Sequence, residues 1–79
     1  MVLGVTLVKV APGHERSVFD ALKEIPGFRE LYHVFGEYDF LVIAEVQSLP
    51  LLSKTVDKIR DVEGVSTTHT IVGAELVYS

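Results

Sequence analysis

Apolar residues recur along this chain at two spacings, and the change from one to the other marks its elements. Residues 2–10, VLGVTLVKV, are apolar and largely β-branched with little interruption, which predicts a buried strand. Ala11-Pro12-Gly13 predicts a turn. Val18, Leu22 and Ile25 then fall at i, i+4 and i+7, so residues 14–25 predict an amphipathic helix. Glu15 in its first turn and Lys23 near its end each complement the helix dipole, and Pro26-Gly27 stops it. Residues 28–35 and 40–47 predict two strands joined by the short turn at 36–39, a hairpin. Ser48 is placed to cap a second helix, with Pro50 in its first turn. Leu52, Val56, Ile59 and Val62 carry that helix to Gly64, and residues 65–72 predict a fourth strand ending at Gly73. Leu76, Val77 and Tyr78 make the tail 74–79 apolar enough to add a short strand.

The order β-α-β-β-α-β contains a repeat. A shift of 37 residues lays Leu22-Lys23-Glu24-Ile25-Pro26-Gly27-Phe28 on Ile59-Arg60-Asp61-Val62-Glu63-Gly64-Val65, with similar chemistry at most pairs. The same shift lays Val34-Phe35-Gly36 on Ile71-Val72-Gly73. A duplicated βαβ unit predicts an α+β, ferredoxin-like fold: a four-stranded antiparallel sheet ordered 4-1-3-2 with two helices on one face. Matching the halves assigns Leu3, Val5 and Leu7, with Phe40, Val42 and Ala44, to the helix-facing side, together with Phe28, Val34, Val65 and Ile71. The other face then carries Val8, Val10, Leu31, Phe35, Leu41, Ile43 and Val72, too apolar for solvent, which predicts an association surface.

Composition sharpens this. Seventy-nine residues make one small domain, 1–79, and 48% of them are hydrophobic, with a mean hydropathy of +0.35. There is no cysteine, so disulfides and thiolate metal sites are excluded. Oligomerisation is the remaining way to stabilise so small a core. The formal charge of −4 and the lack of a Lys/Arg cluster argue against direct nucleic-acid binding. No apolar run approaches membrane-spanning length and the N-terminus carries no signal-peptide pattern, so a cytoplasmic location is expected.

Little in the chain points to catalysis. His14, His33 and His69 fall on different elements, two of them on strands expected at opposite sheet edges, and show no metal-ligand spacing. No serine sits in a glycine-flanked elbow, and no phosphate-cradling or dinucleotide fingerprint is present, so no cofactor is expected. Thr67-Thr68-His69-Thr70 reads as β-propensity on an edge strand. The most singular feature is the turn Gly36-Glu37-Tyr38-Asp39. It reads either as a plain hairpin turn or as a ligand loop whose backbone N–H groups hold a carboxylate while Asp39 holds an ammonium, contacts that suit an α-amino acid.

The stretches Ile25-Pro26-Gly27, His33-Val34-Phe35-Gly36-Glu37-Tyr38-Asp39-Phe40-Leu41 and Gly64-Val65-Ser66-Thr67-Thr68-His69-Thr70-Ile71-Val72 together resemble the effector-binding (RAM) domain of the Lrp/AsnC family. The resemblance covers nearly the whole chain. It implies dimers that pack sheet face to sheet face and assemble into rings, with amino acids bound between dimers. Carried over by motif, the expected ligand residues are Gly36, Tyr38 and Asp39 in the turn, Thr68 and Thr70 on the last strand, and Glu37 as a neighbour. Regulators of this family carry a helix-turn-helix ahead of the domain, and these 79 residues start at its first strand. The expectation is a stand-alone, amino-acid-responsive module with no DNA contact of its own, acting alone or with a full-length relative. Two other readings share the topology. One is a small dimeric enzyme resembling the antibiotic-monooxygenase and muconolactone-isomerase groups, using Tyr32, His33 or His69 as acid or base. The other is an ACT-like allosteric domain.

Overall fold

The computed structural model describes residues 1–73. The chain runs β1 (Val2–Val10), α1 (Glu15–Lys23), β2 (Phe28–His33), β3 (Phe40–Val46), α2 (Leu49–Arg60) and β4 (Val65–Gly73). The sheet order is β2-β3-β1-β4 with every neighbouring pair antiparallel, the ferredoxin-like order the repeat predicts. The short strand expected in the tail lies outside the described residues.

Local chemistry accounts for the element ends. Ser48 has extended backbone, and its hydroxyl accepts the Leu51 N–H, so α2 starts there with Pro50 in its first turn. At α1 the cap position is His14, which makes no side-chain cap; the Glu15 carboxylate instead accepts the Gly13 N–H at 3.0 Å. α1 ends at Lys23 and α2 at Arg60, and the repeat-related glycines Gly27 and Gly64, with φ near +97° and +100°, sit in the turns that follow. At Gly64 the constraint is double, because an added Cβ would lie 2.6 Å from His14 Cβ.

The main core joins Val8, Val10, Phe40 and Val42 of the sheet to Val18 and Leu22 of α1 and Ile59 of α2. A second cluster, Val2, Ala44 and Leu52, closes the far end. Leu52 reaches the sheet because Gly4 lies beneath it: a Cβ there would sit 2.5 Å from the leucine methyl.

Several facing assignments differ from the sequence expectation. In β3 the phase is as expected: Phe40, Val42 and Ala44 are buried, and Leu41 and Ile43 turn to the open face. In β1 it is inverted. Val2, Gly4, Thr6, Val8 and Val10 are buried, whereas Leu3, Val5 and Leu7 lie on the open face. Apolar residues occupy both faces of β1, so alternation gives no phase. Matching the halves then fails because the 37-residue shift that aligns the helices is odd and pairs Leu3, Val5 and Leu7 with Phe40, Val42 and Ala44, whereas the buried positions are even-numbered in both strands.

In the edge strands the cause is a bulge. The β2 register slips between Phe28 and Glu30, and that of β4 between Val65 and Thr67. The extra residues, Arg29 and Ser66, are themselves 37 apart in the repeat. Each bulge reverses the facing of every later side chain. Leu31 therefore packs on the core, and Val72 faces α2 across the groove described below, while Ile71 is turned to the open face and 56% exposed.

The open face still carries a continuous apolar centre. One row across the sheet runs Ile43, Val5, Ile71, and the next runs Tyr32, Leu41, Leu7, His69. Arg29 and Glu45 form an ion pair at 3.5 Å.

Candidate functional site

The bulge at Ser66 decides where the threonines go. The Ser66 hydroxyl donates to the Lys9 carbonyl at 3.1 Å, fixing the irregularity. Beyond it, Thr68 and Thr70 are aimed toward α2. Thr70 shares a hydroxyl–hydroxyl bond of 3.0 Å with Thr6, which is only 2% exposed. On α2, Val56 and Arg60 are one turn apart and share a face. Together they bound a groove of about 660 Å³ with Val65, Ser66, Thr68 and Thr70 of the edge strand. A second lobe of about 360 Å³ continues it over Leu49, Leu52 and Val72 and shares Val56, Arg60 and Thr70. The first lobe is ringed by hydroxyls and one guanidinium, and the second is mainly apolar.

The turn residues sit elsewhere. Gly36 has φ near +118° with open space where a Cβ would be. Glu37 is exposed, and Tyr38 and Asp39 are half-buried. Asp39 ties the turn to β1. Its N–H donates to the Val8 carbonyl at 2.9 Å, its carbonyl accepts the Val34 N–H at 2.9 Å, and its carboxylate Oδ2 accepts the Val10 N–H at 2.8 Å. One oxygen of the expected ammonium ligand is thus engaged in holding the hairpin to the sheet centre.

The fold therefore gathers Thr68 with Thr70, and Gly36, Glu37, Tyr38 and Asp39 with one another, but does not merge the two sets. Thr68 and Phe40 flank Val8 from opposite sides, two inter-strand steps or about 10 Å apart, and the turn lies beyond Phe40. Arg60 and Ser66 join the site without having been singled out from the sequence. The i, i+4 spacing of Val56 and Arg60 was readable; the bulge that brings Ser66 into play was not.

The residues of the enzyme reading do not converge. Tyr32 and His69 stand three inter-strand steps apart on the open face, about 14 Å, and His33 lies on the opposite face against Phe40. The Tyr32 hydroxyl donates to Glu30, and that bond and the negative charge of Glu30 raise its pKa above the ordinary value of 10.0. Among the described residues there is no cluster of three metal-ligating side chains, and no helix is long and apolar enough to cross a membrane.

An α+β sheet with a polar groove along one edge and a bare apolar face is a form that ligand-binding modules take. Comparison with known proteins identifies which. Residues 2–77 match the Lrp/AsnC ligand binding domain, and the chain belongs to the Lrp/AsnC family. It is 31% identical over 71 residues to the HTH-type transcriptional regulator FL11 of Pyrococcus furiosus, covering 90% of this chain and 47% of that protein. The chain thus spans about half the length of that regulator. The hypothetical protein PHS023 of Pyrococcus horikoshii has a similar structure, with a TM-score of 0.86 and 34% identity over 96% of this chain and 93% of that one. The same fold occurs in a transcriptional regulator of Neisseria meningitidis solved as a complex with L-Met, with a TM-score of 0.81 and 17% identity over 99% of this chain and 53% of that one.

Proposed function

We propose that this chain is an amino-acid-binding regulatory and oligomerisation module whose ligand lies between dimers. The observation that carries the reading is the hydroxyl-lined groove at Thr68 and Thr70 in a chain that matches the Lrp/AsnC ligand binding domain. The separation of that groove from the Gly36–Asp39 turn within one subunit supports a shared site, in which the turn of one dimer meets the groove of a neighbour. The turn N–H groups then hold the ligand carboxylate, and Tyr38 and Asp39 its ammonium end, with Glu37 alongside. The L-Met complex of the Neisseria regulator supports an amino acid as the ligand class. Dimers form through the open apolar face, and the module modulates transcription without touching DNA itself, alone or with a full-length Lrp/AsnC regulator.

Calorimetric titration with each of the twenty amino acids tests this. One or a few should bind to wild type, and Thr68→Val should weaken that binding about tenfold by removing a hydrogen bond to a charged group. No heat from any amino acid, or unchanged affinity in Thr68→Val, removes the site.

A further inference from the structure

The groove between α2 and β4 has a sign as well as a shape. Arg60, the last residue of α2, forms its helix wall together with Val56 one turn earlier. Among the described residues the Arg60 guanidinium makes no ion pair. Lys58 lies in the same last turn, so the helix dipole has a complement without Arg60.

The strand wall is uncharged. Thr68 is half-buried there, and the Thr70 hydroxyl is shared with Thr6 at 3.0 Å. Hydroxyls donate or accept as a ligand requires, so the threonines do not choose the sign of its charge. Arg60 does. No Asp or Glu lines the polar lobe, and Asp57 lies on the wall of the apolar lobe.

We propose that the groove selects an amino acid with a carboxylate in its side chain, L-glutamate or L-aspartate, and that Arg60 sets this preference. The inference rests on the reading above, in which the turn of a neighbouring dimer takes the α-carboxylate and the ammonium group, so that the side chain is what reaches the groove. A carboxylate arriving there meets the planar donor fork of Arg60, with Thr68 and Thr70 as further donors. A neutral side chain covers the guanidinium without pairing it, and a lysine side chain sets a second cation against it, so both lose affinity. The chain as a whole carries a formal charge of −4 and repels anions, so capture of one depends on this local cation.

Calorimetric titration with L-glutamate, L-aspartate, L-glutamine, L-asparagine, L-methionine and L-lysine tests it. One of the two acids should bind at least about tenfold more tightly than its own amide, L-methionine or L-lysine. Arg60→Gln should weaken the acid by about tenfold or more and the amide by far less, closing the gap between them. Arg60→Lys keeps the charge but not the fork, and should restore part of that gap. Arg60 is exposed, so far-UV circular dichroism of both variants should match wild type. An amide, L-methionine or L-lysine bound as tightly as the acids overturns the preference and leaves the amino-acid-binding module standing. So does an Arg60→Gln variant that weakens acid and amide alike, which would put Arg60 on the α-carboxylate. No heat from any of the twenty amino acids removes the module reading and this inference with it.

Discussion

Asp39 is the residue on which folding meets the proposed recognition of an amino acid. Two of its polar groups hold the β2–β3 turn to β1, the N–H to the Val8 carbonyl and the carboxylate to the Val10 N–H, while its carbonyl closes the hairpin on Val34. Removing the carboxylate leaves the Val10 N–H without its acceptor, a loss of about 1–3 kcal/mol. Asp39→Ala should therefore lower stability by that amount in denaturant titration. Asp39→Asn, which keeps an acceptor oxygen, should recover most of it. If the residue also holds an ammonium group, Asp39→Asn should still bind ligand at least about tenfold more weakly, because the charge is gone. Thr6 and Thr70 pose a cleaner case. Thr70→Val orphans a buried hydroxyl and should cost about 1–3 kcal/mol, whereas the Thr6→Val/Thr70→Val pair should cost less than Thr70→Val alone. At Tyr32 the raised pKa means that its proton is held more tightly in the fold, so the contribution is present below pH 10 and fades as pH rises above it. Glu30→Gln should lower the pH at which this phenol ionises in ultraviolet titration.

At the scale of elements, the helices and their ends were legible because capping and i, i+4 spacing are local. Ser48 and Pro50 do in the structure what their types predict, whereas the helices end at Lys23 and Arg60, a few residues before the glycines at 27 and 64. The sheet order followed from the repeat. The facing of strand residues was only partly legible. β1 and β3 both carry apolar residues on both faces, so the repeat gave them one shared phase, which Phe40, Val42 and Ala44 keep and β1 inverts. Its true core positions include Gly4 and Thr6, whose roles depend on Leu52 and Thr70 far away in the chain. A bulge has no signature in hydrophobic spacing, so Leu31, Ile71 and Val72 were placed one residue out of phase. For the site, the residue types were legible but not their grouping. Arg60 could not be linked to Thr68 until the bulge at Ser66 turned the threonines toward α2. Gly64→Ala is the sharpest test at this scale. It meets both a positive φ and His14, and should destabilise the α2–β4 corner by about 1–3 kcal/mol in thermal or chemical unfolding.

At the scale of the whole molecule, the bare face is the surface through which dimers are proposed to form. Val5, Leu7, Leu41 and Ile43 form its centre, and burying a Leu or Ile is worth about 1.5–3 kcal/mol. Ile43→Asp should yield monomers or unfolded protein by light scattering; an unchanged oligomer would show that this face is not the contact. With a formal charge of −4, the isolated chain should show no measurable shift of duplex DNA at moderate salt. The paired bulges at Arg29 and Ser66 have one more effect, on solubility over long times. An apolar sheet with two unpaired borders is a template for cross-β growth, in which strands from other chains add to the borders without limit. A bulge in each border strand twists it and breaks its regular ladder, so this molecule can carry a sticky face without also carrying a straight edge for a fibril to extend. Deleting Ser66 would straighten one border, and the variant should convert to thioflavin-positive fibres faster than wild type at the same concentration.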